Sequence, residues 1–394
     1  MLWLVLAVVV AACGSVRAHA NDARAPRKAP LKSPHNTLWV VAPHPDDEVL
    51  MATEALANAV RTKAPYEVVI VTNGDLGCAR NGWARQEESI AALAAIGVSE
   101  DHVHFLGYPD GLLAQLGPTP LPPVERTARD GSCSTGDTTY GARGHEHSDV
   151  HSARTGTPGR YTADALVSDL SALFAAAPPQ EIHLPHMLDE HADHAMTYAY
   201  VRRALARLHA STVLVRHVVH AGPCWPAVDA HGACIEPTNA LATTPLPPLP
   251  PPLGAVPVDR ITPADPLRRR AAISHYVSQL EGPLETSWLS SFARTTEVSW
   301  LEPIVQGKPV RTPVAAHNYL VRQRAGSIEV RSSNGEEHVL RTQPTSTPAS
   351  APLTLHVTSE KNVVVLEVHG PEGFILGAFD TNSRTEEHSF TTGR

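Results

Sequence analysis

The chain has 394 residues, 42% of them hydrophobic and 18% charged, enough for one large domain or two ordinary ones with a real core. Its formal net charge of −8, with no long basic run, excludes long-range attraction to nucleic acid or to an anionic membrane face. The one strongly apolar stretch near the start, residues 2–12, has the length of a signal-peptide core and falls short of the roughly 20 residues of a spanning helix.

Residues 1–20 therefore read as an export signal. Ala18-His19-Ala20 fits small-x-small cleavage, while Val10-Ala11-Ala12-Cys13 fits a bacterial lipobox that would place a lipid on Cys13. The two exclude one another, and an uncleaved anchor is the third reading. Either cleavage puts the protein in the periplasm or outside the cell, with membrane attachment only through that lipid. Residues 21–35, basic and Pro-containing, read as a tether.

Residues 37–42 are β-branched and apolar on both faces, as in a buried parallel strand, and residues 48–60 have helical spacing. His44-Pro45-Asp46-Asp47 thus falls on a strand-to-helix turn, where open α/β sheets bind ligands. Imidazole nitrogen and carboxylate oxygen are zinc donors, and a catalytic zinc takes three protein ligands. The rival reading is that Asp46 or Asp47 only caps the helix. A second strand over 66–72 ends in Asn73-Gly74-Asp75-Leu76-Gly77, and a helix over 83–96 carries Arg85 in its first turn. A cation there opposes the helix dipole, so Arg85 either faces a substrate or pairs with an acid. A third strand, 102–106, ends in Gly107-Tyr108-Pro109-Asp110-Gly111. This alternation predicts βαβ units and a parallel sheet.

From 117 to 160 the pattern dissolves into Pro, Gly, Ser, Thr and His, read as an insertion over the pocket mouth with His145, His147 and His151 solvated. A helix over 163–177 and a strand over 181–185 follow. Asp189-Glu190-His191-Ala192-Asp193-His194 then leads into a helix over 195–208, and a strand spans 213–220. One of the two histidines can complete a zinc triad while the other serves proton transfer or polarises a carbonyl. Proline-dense 246–257, a helix over 268–280 and a closing segment 288–300 complete a domain ending near 309. Residues 310–394 read as a second, antiparallel β-rich unit, with a hairpin at Asn334-Gly335 and strands over 353–357, 363–368 and 374–379.

Without the leader four cysteines remain, Cys78, Cys133, Cys224 and Cys234, an even set suited to an oxidising compartment. Cys224 and Cys234 bracket a short loop and are expected to pair, leaving Cys78 with Cys133. Four cysteines allow three connectivities.

Pro43-His44-Pro45-Asp46-Asp47-Glu48 and His191-Ala192-Asp193-His194 together resemble the PIG-L/LmbE-like family, zinc-dependent de-N-acetylases of N-acetylglucosaminyl substrates. Thr72 to Gly77, Arg85 with Glu88, Leu106 to Gly111, Ser278-Gln279 and Glu297 recur in the family's order, so the resemblance spans about residues 36–303. It implies a Rossmann-like, mostly parallel sheet with helices on both faces and one zinc ion per chain held by His44, Asp47 and His194. It further implies Asp46 as general base, His191 as oxyanion donor or acid, Asp193 orienting His191, and Arg85, with Asp110, contacting substrate. Ala192 departs from the family's usual proline, and the 117–160 insertion is long for the family. The expected activity is release of acetate from an N-acetylated amino sugar. Another N-acyl substrate and a non-catalytic glycan-binding protein are the alternatives.

Overall fold

The computed structural model describes residues 37–128, 131–141, 148–250, 258–280 and 282–309, and the backbone of seven strands beyond them. The leader, the tether and Cys13 lie outside the described residues. Strands and helices alternate from the start: β1 (Thr37–Ala42), α1 (Asp47–Thr62), β2 (Tyr66–Thr72), α2 (Ala79–Ala95) and β3 (Val103–Tyr108). After a hairpin, β4 (Val124–Ala128) and β5 (Gly131–Gly136), come α3 (Val150–Thr155), α4 (Ala163–Ala176), β6 (Pro179–Pro185), α5 (Ala192–Leu208) and β7 (Thr212–His217). There follow β8 (Arg260–Pro263), α6 (Pro266–Ile273), β9 (Thr296–Val305) and β10 (Lys308–Pro309).

The main sheet runs β10-β9-β7-β6-β1-β2-β3, with β8 paired on β9. The pairs β1–β2, β2–β3, β1–β6 and β6–β7 are parallel, while β9 is antiparallel to β7, β8 and β10. Strand order reverses at β1, between β2 and β6, so the crevice at the carboxyl ends of β1 and β6 is the switch point of the sheet. Helices α1 and α2 pack with α6, and α4 packs with α5. The central strands are dry: Val40, Val41, Val68, Val69, Ile70, Ile182, Leu184 and Leu214 are all fully buried. Such burial on both faces is why β1 and β2 read as apolar runs. Among the described residues no helix is long and apolar enough to cross a membrane.

Several expected boundaries move. Helix α2 starts at Ala79 instead of 83, α6 ends at Ile273 instead of 280, and the closing segment is a 3₁₀ turn followed by strand β9. The expected insertion is tied at its base, where Ala163 N donates to Gly117 O (3.1 Å), Leu121 N to Tyr161 O (3.1 Å) and Thr139 N to Gly159 O (2.7 Å). His151 was expected in solvent, but its Nδ1 lies 3.0 Å from Asp169 Oδ1. His145 and His147 lie outside the described residues.

Cys224 and Cys234 form the expected disulfide. Cys78 is also disulfide-bonded; the side chain of Cys133, its expected partner, lies outside those described. Beyond residue 310, β11 (Tyr319–Arg324), β12 (Ser327–Ser332) and β13 (Glu337–Arg341) form one antiparallel sheet. A second contains β14 (Thr354–Glu360), β15 (Val363–Gly370), β16 (Gly373–Asp380) and β17 (Thr391–Thr392).

Candidate metal centre

The first half of the site hangs from the end of β1. Asp46, the N-cap of α1, adopts φ 122° and ψ −35°, a backbone region that side-chain-bearing residues rarely enter and that costs on the order of 1–3 kcal/mol. Neighbours enforce it. Glu48 Oε2 accepts from Asp46 N (2.9 Å), while Glu48 Oε1 accepts from Ser89 Oγ (2.7 Å) and Tyr276 Oη (2.6 Å), tying the turn to α2 and to the segment after α6. Arg85 donates to Pro45 O (2.6 Å), Asp46 Oδ2 (2.9 Å) and Gly74 O (2.8 Å). Gly74, at φ 58°, makes room for that guanidinium: a Cβ there would lie 2.5 Å from Arg85 Nη1.

The second half hangs from the loop between β6 and α5. Asp47 Oδ2 lies 3.1 Å from His44 Nδ1 and 3.1 Å from His194 Nε2, and all three residues are buried. Neither ring nitrogen of the fully buried His194 makes a hydrogen bond among the described residues, despite these close approaches. A buried imidazole nitrogen left without a hydrogen bond could take a metal ion, and His44, Asp47 and His194 offer the N, O, N donor set of a catalytic zinc site. Behind the ligands stand more carboxylates. His44 Nε2 faces Asp193 Oδ2 (3.1 Å) and Asp110 Oδ1 (3.2 Å), and His194 Nδ1 faces Asp189 Oδ2 (3.2 Å). Such partners fix the orientation of metal-binding imidazoles and raise their basicity.

Electrostatics agree with a cation site. Burial alone would depress His44 and His194, but the flanking carboxylates outweigh it and raise both. Burial alone would raise Asp47, yet the two imidazoles hold it well below the usual carboxylate range. Asp46 goes the other way: burial pushes it up to about 7, with Asp47 and Glu48 adding to the rise and Arg85 opposing it. His191 is lowered by burial and by the neighbouring His44 and His194 charges, so it is neutral. It caps α5, and its Nδ1 accepts from Asp193 N (3.2 Å), which leaves its proton on Nε2.

His44, Asp46, Asp47, His191 and His194 thus come together as expected from the sequence. Three others stand elsewhere than expected. The Asp193 carboxylate accepts from Gly111 N (2.7 Å) and Leu113 N (3.0 Å) and faces His44, so it orients His44 and not His191, which is held by the Asp193 backbone. Asp110, expected at the substrate, is turned inward between His44 and Leu76 N (2.9 Å). Arg85, 7% exposed, is spent on Asp46 and two carbonyls, the acid-pairing alternative. Asp189 and Glu48 stand in the two runs read from the sequence but had no role assigned there, and His220 was not singled out. His220 follows β7 and packs its ring on those of His194 and His191.

Residues 39–205, from β1 through most of α5, match the family model PIG-L, described as GlcNAc-PI de-N-acetylase. This segment is a PIG-L-family domain. It contains both halves of the site, and it is a hydrolytic de-N-acetylase domain, making the chain an enzyme of that class. The match stops at 205, short of the 303 suggested by the motifs, although Ser278 does bond through N (2.7 Å) and Oγ (2.6 Å) to Glu88 inside the PIG-L segment.

Solved structures similar to this chain include the zinc inhibited form of teicoplanin deacetylase Orf2, at 16% identity over 68% of this chain and 97% of that chain, TM-score 0.38. N,N'-diacetylchitobiose deacetylase from Pyrococcus horikoshii is 13% identical over 69% of this chain and 84% of its own, TM-score 0.40. The 4-carboxy-2-hydroxymuconate hydratase GalB from Pseudomonas putida is 14% identical over 72% and 100%, TM-score 0.37. No curated protein sequence matches the chain.

Proposed function

We propose that the protein is an exported, zinc-dependent deacetylase that hydrolyses the N-acetyl group of an N-acetylglucosamine-containing glycan, glycolipid or glycoside, releasing acetate. The observation that carries this is the convergence, inside the PIG-L segment, of His44, Asp47 and His194 around one point with the unligated Asp46 beside them. The apolar run 2–12 and the disulfide chemistry at Cys78, Cys224 and Cys234 support export to an oxidising compartment. We read residues 36–309 as the catalytic domain and 310–394 as a separate β-rich domain.

His44, Asp47 and His194 would hold the zinc, which when bound polarises the acetyl carbonyl and acidifies water. Asp46, held by Arg85 but titrating near neutrality, accepts the proton of the attacking water and then delivers it to the departing amine. His191 keeps its Nδ1 lone pair on the Asp193 amide, so a second ring proton would break that bond. Its neutral Nε2–H therefore acts as a hydrogen-bond donor to the oxyanion, an effect typically worth about 10²–10³ in rate. Glu48 and Tyr276 position the turn that carries Asp46.

Metal analysis of the purified mature protein, with acetate release from a panel of N-acetylglucosamine conjugates and other N-acyl compounds, tests the proposal. Acetate released from amino sugars alone, at one zinc per chain, is the expected result. Turnover only of other N-acyl groups, or none with zinc bound, overturns the substrate assignment.

A further inference from the structure

His220 lies outside the PIG-L segment and outside every motif of the sequence, yet it is built into the metal centre. Its ring centroid is 4.8 Å from that of His194, edge to face, and 5.2 Å from that of His191. One donor atom each from Asp47, His194 and His220 lie within 4.8 Å of one another. The backbone of His220 is fixed on both sides: Val219 N (2.8 Å) and His220 N (3.1 Å) donate to Asp189 Oδ2, and Glu190 N donates to His220 O (3.0 Å). The same Asp189 oxygen faces His194 Nδ1, so one carboxylate sets a metal-facing imidazole and the residue bearing the next one. The His220 ring lies nearly parallel to Trp288, at 5.3 Å and 18°, and the indole is itself held by its N–H bond to Trp225 O (3.0 Å).

We propose that His220 is a fourth protein ligand for the ion held by His44, Asp47 and His194, giving the centre a closed form with four protein donors and an open form in which the His220 ring rests on Trp288. The inference rests on the metal-dependent reading above. A zinc with three protein donors keeps one position for water or substrate, whereas four nitrogen and oxygen donors fill a tetrahedral shell. A ring within ligand reach, on an anchored backbone and with an aromatic resting place, alternates between those two forms by side-chain rotation alone. The closed form holds metal more tightly, and substrate entry needs the open one.

Zinc affinity, read by chelator competition without substrate, and the visible spectrum of the cobalt-substituted protein test this on the full-length chain. His220→Gln is expected to weaken zinc binding by about tenfold or more, the range seen when a supporting group at a metal site is lost, and to alter the cobalt bands as water replaces nitrogen. Trp288→Leu, which removes the resting place, is expected to hold zinc at least as tightly as wild type. Wild-type affinity and an unchanged cobalt spectrum in His220→Gln overturn the proposal. Should that variant not fold, ¹⁵N-histidine labelling of the wild type with ¹¹³Cd decides: coupling of cadmium to a His220 ring nitrogen supports it, and coupling confined to His44 and His194 overturns it. A protein that binds metal but releases no acetate loses the substrate assignment and leaves this test intact, while one that binds no metal loses both.

Discussion

Arg85 and Asp46 form a buried ion pair of 2.9 Å in which the guanidinium is also fastened to the carbonyls of Pro45 and Gly74, so the cation cannot leave without loosening the turn that carries the acid. Arg85 is the larger of two influences, the other being His44, that favour the Asp46 carboxylate against burial and its acidic neighbours. In Arg85→Met the Asp46 pKa therefore rises above its value of about 7, and the ionised base persists only at higher pH. The acidic limb of the pH–rate profile is expected to move upward, with activity at pH 7 down by roughly tenfold or more and metal content unchanged. An unmoved limb would mean that another group is the base.

Removing a ligand and removing the base should separate cleanly. His44→Ala, Asp47→Ala and His194→Ala each leave two of three donors and are expected to purify without stoichiometric zinc. Asp46→Asn keeps the donors, so metal analysis should find zinc with turnover reduced by about 10²-fold or more. Full zinc in a ligand variant, or normal turnover in Asp46→Asn, removes that residue from its role.

Asp189 is buried, and its two oxygens serve His194, Val219, His220 and His191 N (3.0 Å). Asp189→Asn is expected to lower zinc affinity about 10–100-fold, measured by chelator competition. An affinity equal to wild type would show that His194 needs no support from it.

The backbone of Asp46, at φ 122°, favours glycine over any residue with a Cβ. Asp46→Gly and Asp46→Ala both lack the carboxylate and leave Arg85 on its two carbonyls, so they differ chiefly in backbone strain. The glycine variant should be the more stable by about 1 kcal/mol, read as a shift in urea midpoint. Equal midpoints would place the strain elsewhere in the turn.

Much of the site was legible because its donors sit in two short runs past strand ends, where local chemistry betrays position: His44, Asp46 and Asp47 after β1, His191 and His194 at the start of α5. The sheet was legible for a related reason, since β1 and most of β2 are dry on both faces and read as apolar runs. What escaped depends on distance. Whether Arg85 points at solvent or at Asp46 is decided by Gly74 and Pro45, 11 and 40 residues away. Asp193 lies two residues from His191 but reaches His44, because at the start of a helix the carboxylate projects toward the neighbouring turn at Gly111 and Leu113. His220 has no local pattern, and only the sheet order brings the loop after β7 beside the β6 loop. Strand β9, in which buried and more exposed residues are interspersed and which contains Pro303, lacks the apolar run that marks β1 and β2.

The base of the 117–160 excursion, stitched by the pairs Gly117–Ala163, Leu121–Tyr161 and Thr139–Gly159, makes that segment a visor clipped onto a finished frame. Its two ends are joined by a hydrogen bond, so lengthening it adds only a slowly growing closure entropy and leaves the sheet untouched. Segments of different length can thus be exchanged at this point without altering the strand ends that carry His44, Asp47 and His194. The exchange is not silent, because Tyr140 Oη in the visor donates to Asp75 Oδ2 (2.8 Å), whose Oδ1 holds Gly77 N (2.9 Å) in the turn that receives Arg85. A new visor that supplies no equivalent of Tyr140 would disturb the Asp75 turn on which Arg85, and through it Asp46, depends.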